Sequence, residues 1–271
     1  MLNSIVGKHL FVLIFVSKIR ITKYILGIIA IGIVLGNTRY SYYQQDIALG
    51  ATAPSWDHWF GTDRLGRDLF ARIIYACCIS LSVGFLATLL TVSFGTFYGM
   101  ISGYYGGKID LILMRIVDIL YPIPLILIVI LLMMIFEKHG YVLFLAISIV
   151  EWMTTARIIR AEVLKIKESG YIQVARGLGQ RKLMILGKHM LPNIAGIIIV
   201  CFIITLPNVI ILESFLSFLG IGIQPPKSSL GILIAEGAKF MTTSPWQIIF
   251  PSTAFVLIML GLTIYGDRLK K

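Results

Sequence analysis

Long uncharged apolar stretches dominate the pattern of this chain, and short charged segments separate them. Six of these stretches approach the length of about 20 residues that a helix needs to cross roughly 30 Å of hydrocarbon. We predict membrane-spanning helices near 21–38, 80–101, 117–136, 141–158, 193–213 and 247–266. The predicted fold class is therefore all-α, a polytopic membrane protein with six transmembrane helices.

Composition supports a lipid environment. Apolar residues make up 58% of the chain and charged residues 14%, with a mean hydropathy of +0.90. Soluble domains carry about 25% charged residues, so this sequence lacks the polar residues to cover a folded core in water. A secreted disulfide scaffold, a disordered chain and a cytosolic enzyme are excluded. Cys77, Cys78 and Cys201 lie in or beside apolar stretches and predict no disulfide or metal framework.

The distribution of charge predicts the orientation. The net charge of +11 comes from 24 Lys and Arg residues against 13 Asp and Glu residues. Most of the basic residues fall on the side that holds both termini, and cytoplasmic segments retain Lys and Arg. We therefore predict cytoplasmic termini and no nucleic acid partner. Because no small-residue cleavage site follows the apolar stretch 24–36, we expect an uncleaved first span rather than a signal peptide.

The longest predicted cytoplasmic segment, 159–192, joins the fourth and fifth spans. Its spacing predicts a short helix over 171–178, ended by Gly179, with Ile172, Ala175 and Leu178 on one face. Such a helix presents small apolar residues to the cytoplasm as a docking surface. On these grounds alone, a solvated basic loop remains the alternative.

Residues 173–192 resemble the loop of permease subunits in ATP-binding-cassette (ABC) importers, whose pattern is E-A-A-x3-G-x9-I-x-L-P. The matching positions are Gln173, Val174, Ala175, Gly179, His189, Leu191 and Pro192. The spacing is intact, but Gln replaces Glu, Val replaces the first Ala and His replaces Ile.

Further segments resemble the dipeptide, oligopeptide and nickel permease branch of that superfamily. They are 61–76 (GTDRLGRDLFARIIYA), 103–124, 213–226 and 235–267, in the family's order. Pro122 stands where a small residue is usual. The resemblance covers about 60–271 and implies a type I ABC importer permease fold. It divides the chain into 1–60, with the first span and an external segment, and a permease domain over 61–271 with coupling segment 159–192.

The resemblance also implies a division of labour. Such a permease is not an enzyme and forms half of a path for peptides, nickel or another metal chelate. Its implied partners are a second homologous permease, two cytoplasmic ATPases and an extracellular binding protein, in a bacterial inner membrane. ATP and magnesium belong to the ATPases. The implied ATPase-coupling residues are Tyr171, Gln173, Val174, Ala175, Gly179, Leu191 and Pro192.

The residues agree that this chain holds no nucleotide. A P-loop needs Ser or Thr after Gly-Lys, but Ile109 follows Lys108 and His189 follows Lys188. The four histidines are predicted on both sides of the bilayer, and no His/Cys spacing indicates zinc. We expect no catalytic residues, cofactor or metal in this chain.

Five residues near membrane depth are candidates for the path. They are Asp118, Glu151, Pro207, Asn208 and Glu213. The alternatives are structural: an ion pair between Asp118 and Arg115, a packing kink at Pro207, and a Glu213 side chain that reaches headgroups or water at the end of its span.

Other positions carry weaker predictions. Gly84, Gly95 and Gly99 are expected to allow close helix packing. Residues 63–69 are expected to form the beginning of an amphipathic helix, with an Asp68–Arg72 pair; this segment and the 214–246 loop are candidate contacts for the binding protein. One competing functional hypothesis is a stand-alone secondary transporter or channel, driven by an ion gradient through Asp118 or Glu151. Another is an intramembrane enzyme, but the sequence shows no nucleophile–base pair that such an enzyme would need.

Overall fold

The computed structural model describes residues 38–136, 140–223 and 226–270. Its regular secondary structure within these ranges is helical, and residues 38–68 precede the first described helix as turns and extended segments. The helices are α1 Leu69–Tyr105, α2 Gly107–Leu120, α3 Leu125–Ile135, α4 Gly140–Lys167, α5 Gly170–Gly177, α6 Lys182–Phe218, α7 Leu230–Ala238 and α8 Trp246–Lys270. Helix α6 contains a π-helical turn over Ile185–Met190. The first predicted span, 21–38, lies outside the described residues except for its last position.

Four of the described helices, α1, α4, α6 and α8, are long and apolar enough to cross a membrane. They contain the predicted spans 80–101, 141–158, 193–213 and 247–266. Helices α1 and α6 are much longer than predicted, at 37 residues each. Asp68 fixes the start of α1, because its carboxylate accepts a hydrogen bond from the backbone N–H of Ala71 and so caps the helix.

The third span predicted over 117–136 is not one continuous helix. Residues 121–124, with the sequence Tyr-Pro-Ile-Pro, separate α2 from the 11-residue α3. Pro122 and Pro124 have no backbone N–H, and each disfavours helical geometry in the residue before it. Broken backbone at membrane depth is tolerated where it is buried in protein or lines a cavity.

A row of glycines brings α1 against α4. A Cβ atom at Gly95, Gly99 or Gly103 would lie 2.4–2.9 Å from a backbone carbonyl oxygen of α4. Gly84 allows the same close approach to Ile210 of α6. The predicted packing role of Gly84, Gly95 and Gly99 is confirmed, and Gly103 extends the same row in α1.

The two ends of the bundle differ. At the α7 end, Leu69 and Ile73 of α1 pack with Leu230 and Leu233 of α7, and α8 lies alongside. At the α5 end, Ile172 and Ala175 are buried in a cluster with Met100 of α1 and residues of α4 and α6. Helix α1 runs from one end to the other, so it connects the two packing clusters.

The helix expected to begin with 63–69 begins only at Leu69, after a turn. Gly66 has a positive φ of 67°, which L side chains rarely adopt, and Asp68 then serves as the cap. The expected Asp68–Arg72 pair is also wrong. Arg72 is buried and contacts Asp63 at 2.5 Å and Glu236 at 2.9 Å, while Asp68 pairs with His58.

Candidate functional site

A cavity of about 540 Å³ opens where the chain breaks between α2 and α3. Its wall combines residues 121–124 of the break, Glu151 and Thr154 near the middle of α4, and Leu212 of α6. The other lining side chains are apolar, namely Ile126, Val150 and Met153. The cavity therefore joins three helices around one carboxyl group.

The Glu151 carboxyl group has no hydrogen bond or ion pair from the part of the chain that the structure describes. The two arginines that follow it on α4 are engaged elsewhere. Arg157 donates to Asp118 at 2.7 Å, and Arg160 donates to both carboxylate oxygens of Asp110 at 2.5 Å. Glu151 thus faces the cavity without a neighbouring positive charge among these residues.

Asp118 was expected to pair with Arg115, and this expectation is wrong. Its partner is Arg157 of α4, whose guanidinium lies 4.3 Å from the ring centroid of Tyr121. The aromatic face holds Arg157 close to α2, and Tyr121 itself lines the cavity. The pair therefore stands beside the break and ties α2 to α4.

Asp110, which sequence reasoning missed, ties the first turn of α2 to α4. Two hydrogen bonds from Arg160 lower the pKa of the Asp110 carboxyl against the opposing effect of partial burial, and the Ser102 hydroxyl adds to the lowering. A bidentate Arg–carboxylate contact fixes geometry as well as charge. It orients α2 ahead of the break.

Glu213 does not reach headgroups or water, contrary to expectation, because its side chain is completely buried. Its carboxylate accepts hydrogen bonds from Ser80 of α1 at 3.0 Å and from Ser217 of α6 at 2.8 Å. Helix α7 folds over this site so closely that a Cβ at Gly231 would meet the backbone of Ser214. Glu213 thus joins three helices and lies outside the cavity wall.

Pro207 and Asn208 lie within α6, which continues through the proline. Asn208 is exposed and precedes Leu212 by four residues, so the two share one face of α6. Leu212 lines the cavity, whereas Asn208 lies one turn earlier on α6 and is not among the lining residues. The structure therefore places Glu151 in the cavity wall and Asp118 beside the break, and it separates Glu213 from both.

The short helix predicted over 171–178 is α5, Gly170–Gly177, and Gly179 follows it with φ of 72°. Its outward face differs from the prediction. Ile172 and Ala175 are buried in the protein, whereas Tyr171, Val174 and Leu178 are 46%, 61% and 74% exposed. We call these last three residues the α5 outer row.

The remaining coupling candidates surround α5. Gln173 donates from its side-chain amide to the backbone carbonyl of Glu168 at 3.1 Å. Leu191 is exposed and directly follows the π-helical turn of α6, and Pro192 comes next. The Nε2 atom of His189 lies 2.9 Å from the Oε1 atom of Gln180, and this contact links the π-helical turn to the segment that follows α5.

Comparison with known proteins identifies the family. Residues 95–271 match the family described as binding-protein-dependent transport system inner membrane component. The chain belongs to this family. The match covers more than half of the chain and includes the broken span, the cavity and α5.

Named relatives extend this assignment. The chain is 39% identical over 233 residues to oligopeptide transport system permease protein OppC of Bacillus subtilis (strain 168), covering 86% of this chain and 76% of that protein. It is 40% identical over 232 residues to dipeptide transport system permease protein DppC of the same organism, covering 85% and 72%. The corresponding OppC of Escherichia coli (strain K12) is 39% identical over 250 residues, covering 91% and 83%.

The fold is that of ABC importer permeases. A chain from inward-facing conformations of the MetNI methionine ABC transporter matches with a TM-score of 0.61 at 17% identity, covering 74% of this chain and 95% of that chain. The predicted type I permease fold is confirmed. Among the residues that the structure describes, no group of three or more His, Cys, Asp and Glu side chains could hold a metal ion.

Proposed function

We propose that this permease is half of the translocation path of an ATP-driven peptide importer in a bacterial inner membrane, with both termini in the cytoplasm. The α5 outer row is the observation that carries the proposal. Tyr171 and Val174 are exposed on one face of α5 and Leu178 directly after its end, while the opposite face of α5 is buried against α1, α4 and α6. An exposed apolar surface on a rigidly packed element is typical of an interface.

The proposed occupant of this surface is a cytoplasmic ATPase, one of two that hold ATP and magnesium. Tyr171 and Val174 make the contact. Gln173, Ala175 and Gly179 set the position and end of α5. Leu191 and Pro192 continue the interface onto α6. Because α5 packs on three long helices, a displacement of α5 reaches the cavity through rigid elements, as in other rigid-body switches.

The proposed path follows the cavity. Glu151 lines it, and Asn208 continues the path along the face of α6 that carries Leu212. Asp118 closes one side through Arg157, and Pro207 weakens the helix that carries Asn208. A second, homologous permease completes the path, and an extracellular binding protein delivers the solute at the α7 end. The buried position of Glu213 supports a structural role for that residue, so we leave it out of the path.

Peptides are the proposed substrate, ahead of nickel or another metal chelate. The support comes from the relatives of known name, which are oligopeptide and dipeptide permeases at 39–40% identity. The alternative is a stand-alone transporter that binds its driving ion at Asp118. The ion pair between Asp118 and Arg157 weakens this alternative, because the carboxylate already has a positively charged partner.

The test compares Val174→Glu with the near-isosteric Val174→Thr in the assembled importer. The glutamate places a charge in the α5 outer row and should abolish co-purification of the ATPases and ATP-dependent peptide uptake, while the threonine should preserve both. Point changes are preferred to deletion of 171–179, which would also remove the buried Ile172 and Ala175. Unchanged co-purification with Val174→Glu, or peptide uptake by this chain without ATPases, would refute the proposal.

A further inference from the structure

We infer that the cavity at the α2–α3 break is a subsite for the protonated amino terminus of the peptide, with Glu151 as its counter-charge. This inference rests on the proposed function and narrows the substrate to peptides whose amino group is free.

The carboxyl group at the cavity has no counter-charge among the described residues. The Glu151 carboxyl group has no ion pair within the described ranges, and the neighbouring Arg157 and Arg160 each hold another carboxylate. Charged side chains at membrane depth are costly, and they mark ion and substrate paths when they persist there. A cationic ligand would supply the missing partner when it enters.

The broken backbone adds hydrogen-bond acceptors, whose partial negative charge would also attract a cation. Helix α2 ends at Leu120 beside the cavity, and the carboxyl end of a helix carries a partial negative charge. Pro122 has no N–H to offer the backbone carbonyl of Asp118, four residues earlier. An ammonium group has three donors and no acceptor, so a carboxylate and nearby carbonyls suit it.

Size and lining favour an organic cation over a bare metal ion. The volume of about 540 Å³ lies within the range of about 300–1,000 Å³ that is usual for small organic ligands. One carboxyl group is too few ligands for a divalent cation, which takes six or more oxygens when it is calcium or magnesium. The apolar side chains of Ile126, Val150 and Leu212 would instead contact the first residue of a peptide.

The direct experiment is chemical modification of Glu151 in the purified importer. A hydrophobic carbodiimide modifies carboxyl groups, and mass spectrometry reads each site. Trialanine at millimolar concentration should slow the modification of Glu151 by about fivefold or more, whereas N-acetyl-trialanine should leave it unchanged. Asp57, whose carboxylate is exposed and paired with Arg39, provides an internal control that neither peptide should protect.

The functional experiment measures trialanine uptake with Glu151→Gln and Glu151→Asp. Loss of the charge should lower uptake at limiting peptide by about tenfold, and the aspartate should restore a large part of it. The matched Asp57→Asn variant, which removes one negative charge elsewhere, should transport as the wild type does.

The outcomes separate this inference from the proposed function. Equal protection of Glu151 by both peptides, protection by neither, or full uptake with Glu151→Gln would overturn the ammonium subsite while ATP-driven uptake by the wild type still stands. Absence of ATP-driven uptake in the wild-type importer would instead contradict the proposed function.

Discussion

The Ser80 hydroxyl of α1 donates a hydrogen bond to the Glu213 carboxylate of α6 at 3.0 Å, although 133 residues separate them in sequence. The same hydroxyl accepts the backbone N–H of Leu230 at 3.2 Å. Because Leu230 begins α7, a single serine connects three helices at the α7 end. Glu213 therefore holds the helices together, and its contribution to the stability of the folded protein can be measured.

Glu213→Ala should destabilise the protein strongly. The substitution leaves the buried hydroxyls of Ser80 and Ser217 without their acceptor and opens a cavity. A buried hydroxyl that loses its hydrogen-bond partner costs about 1–3 kcal/mol, so we expect a loss of about 3 kcal/mol. Thermal unfolding of the purified complex should show a midpoint lower by roughly 6–12 °C.

Glu162→Ala is the matched control for this prediction. Glu162 lies on α4, and its partner Lys165 is 74% exposed. Such surface pairs contribute about 0–1 kcal/mol, so the midpoint should change little. Equal midpoints for Glu213→Ala and Glu162→Ala would mean that the buried network does not hold α1, α6 and α7 together.

Arg72→Met should have a much larger effect than Arg39→Met. The Arg72 side chain is 4% exposed and joins Asp63 to Glu236 of α7, whereas Arg39 and Asp57 are 69% and 68% exposed. Removing one member of a buried pair costs about 3–5 kcal/mol, and removing an exposed one costs about 1 kcal/mol or less. Thermal unfolding of the two variants under one set of conditions checks the difference, and similar losses would contradict it.

The spans could be predicted from the sequence where hydrophobicity alone decides them, as in α4, α6 and α8. The break at 121–124 was missed because the average over 117–136 is strongly apolar. The two prolines Pro122 and Pro124, separated by one residue, were the sequence feature that indicated the break. Local backbone chemistry decided the structure at this point, and hydropathy did not.

The side-chain partners could not be predicted, because they depend on how each helix is rotated. Arg115 lies three residues before Asp118 on the same helix, but Asp118 forms its ion pair with Arg157 of another helix. In α5, both Ile172 and Val174 are apolar, and only the packing of α5 on α1, α4 and α6 decides which one is buried. Positions of carboxylates along the chain were informative, whereas their surroundings required the fold.

The link between Asp110 and Arg160 should make stability depend on pH in a defined direction. Asp110 lies in the first turn of α2, outside the candidate spans, and the Arg160 guanidinium lowers its pKa in the folded protein. A lowered folded pKa stabilises the protein above the unfolded pKa, and this contribution is lost as pH falls through the folded value. The wild type should exceed Asp110→Asn in stability at pH 7, and the difference should close below about pH 4.

Unfolding midpoints of the two proteins across pH check this prediction. The control is Arg160→Gln, which removes the cause of the lowered pKa. In that background, Asp110→Asn should have a much smaller effect at pH 7, because the pair is already broken. A difference between the wild type and Asp110→Asn that stays constant down to pH 3 would contradict the assigned role of the Arg160 contact.

Gly99→Ala should separate α1 from α4, because a Cβ at this position would lie 2.4 Å from the carbonyl oxygen of Ala156. The obstacle is helix backbone and cannot rotate away, so both helices must shift; overpacking of this kind costs about 1–3 kcal/mol. Gly261→Ala in α8 is the matched control, since nothing lies within 4 Å of its Cβ. That variant should be neutral or more stable by about 0.5–1 kcal/mol, because alanine favours helix. The thermal unfolding midpoint should therefore fall with Gly99→Ala and stay the same or rise with Gly261→Ala. A Gly99→Ala midpoint at or above that of Gly261→Ala would mean that α1 and α4 do not pack this closely.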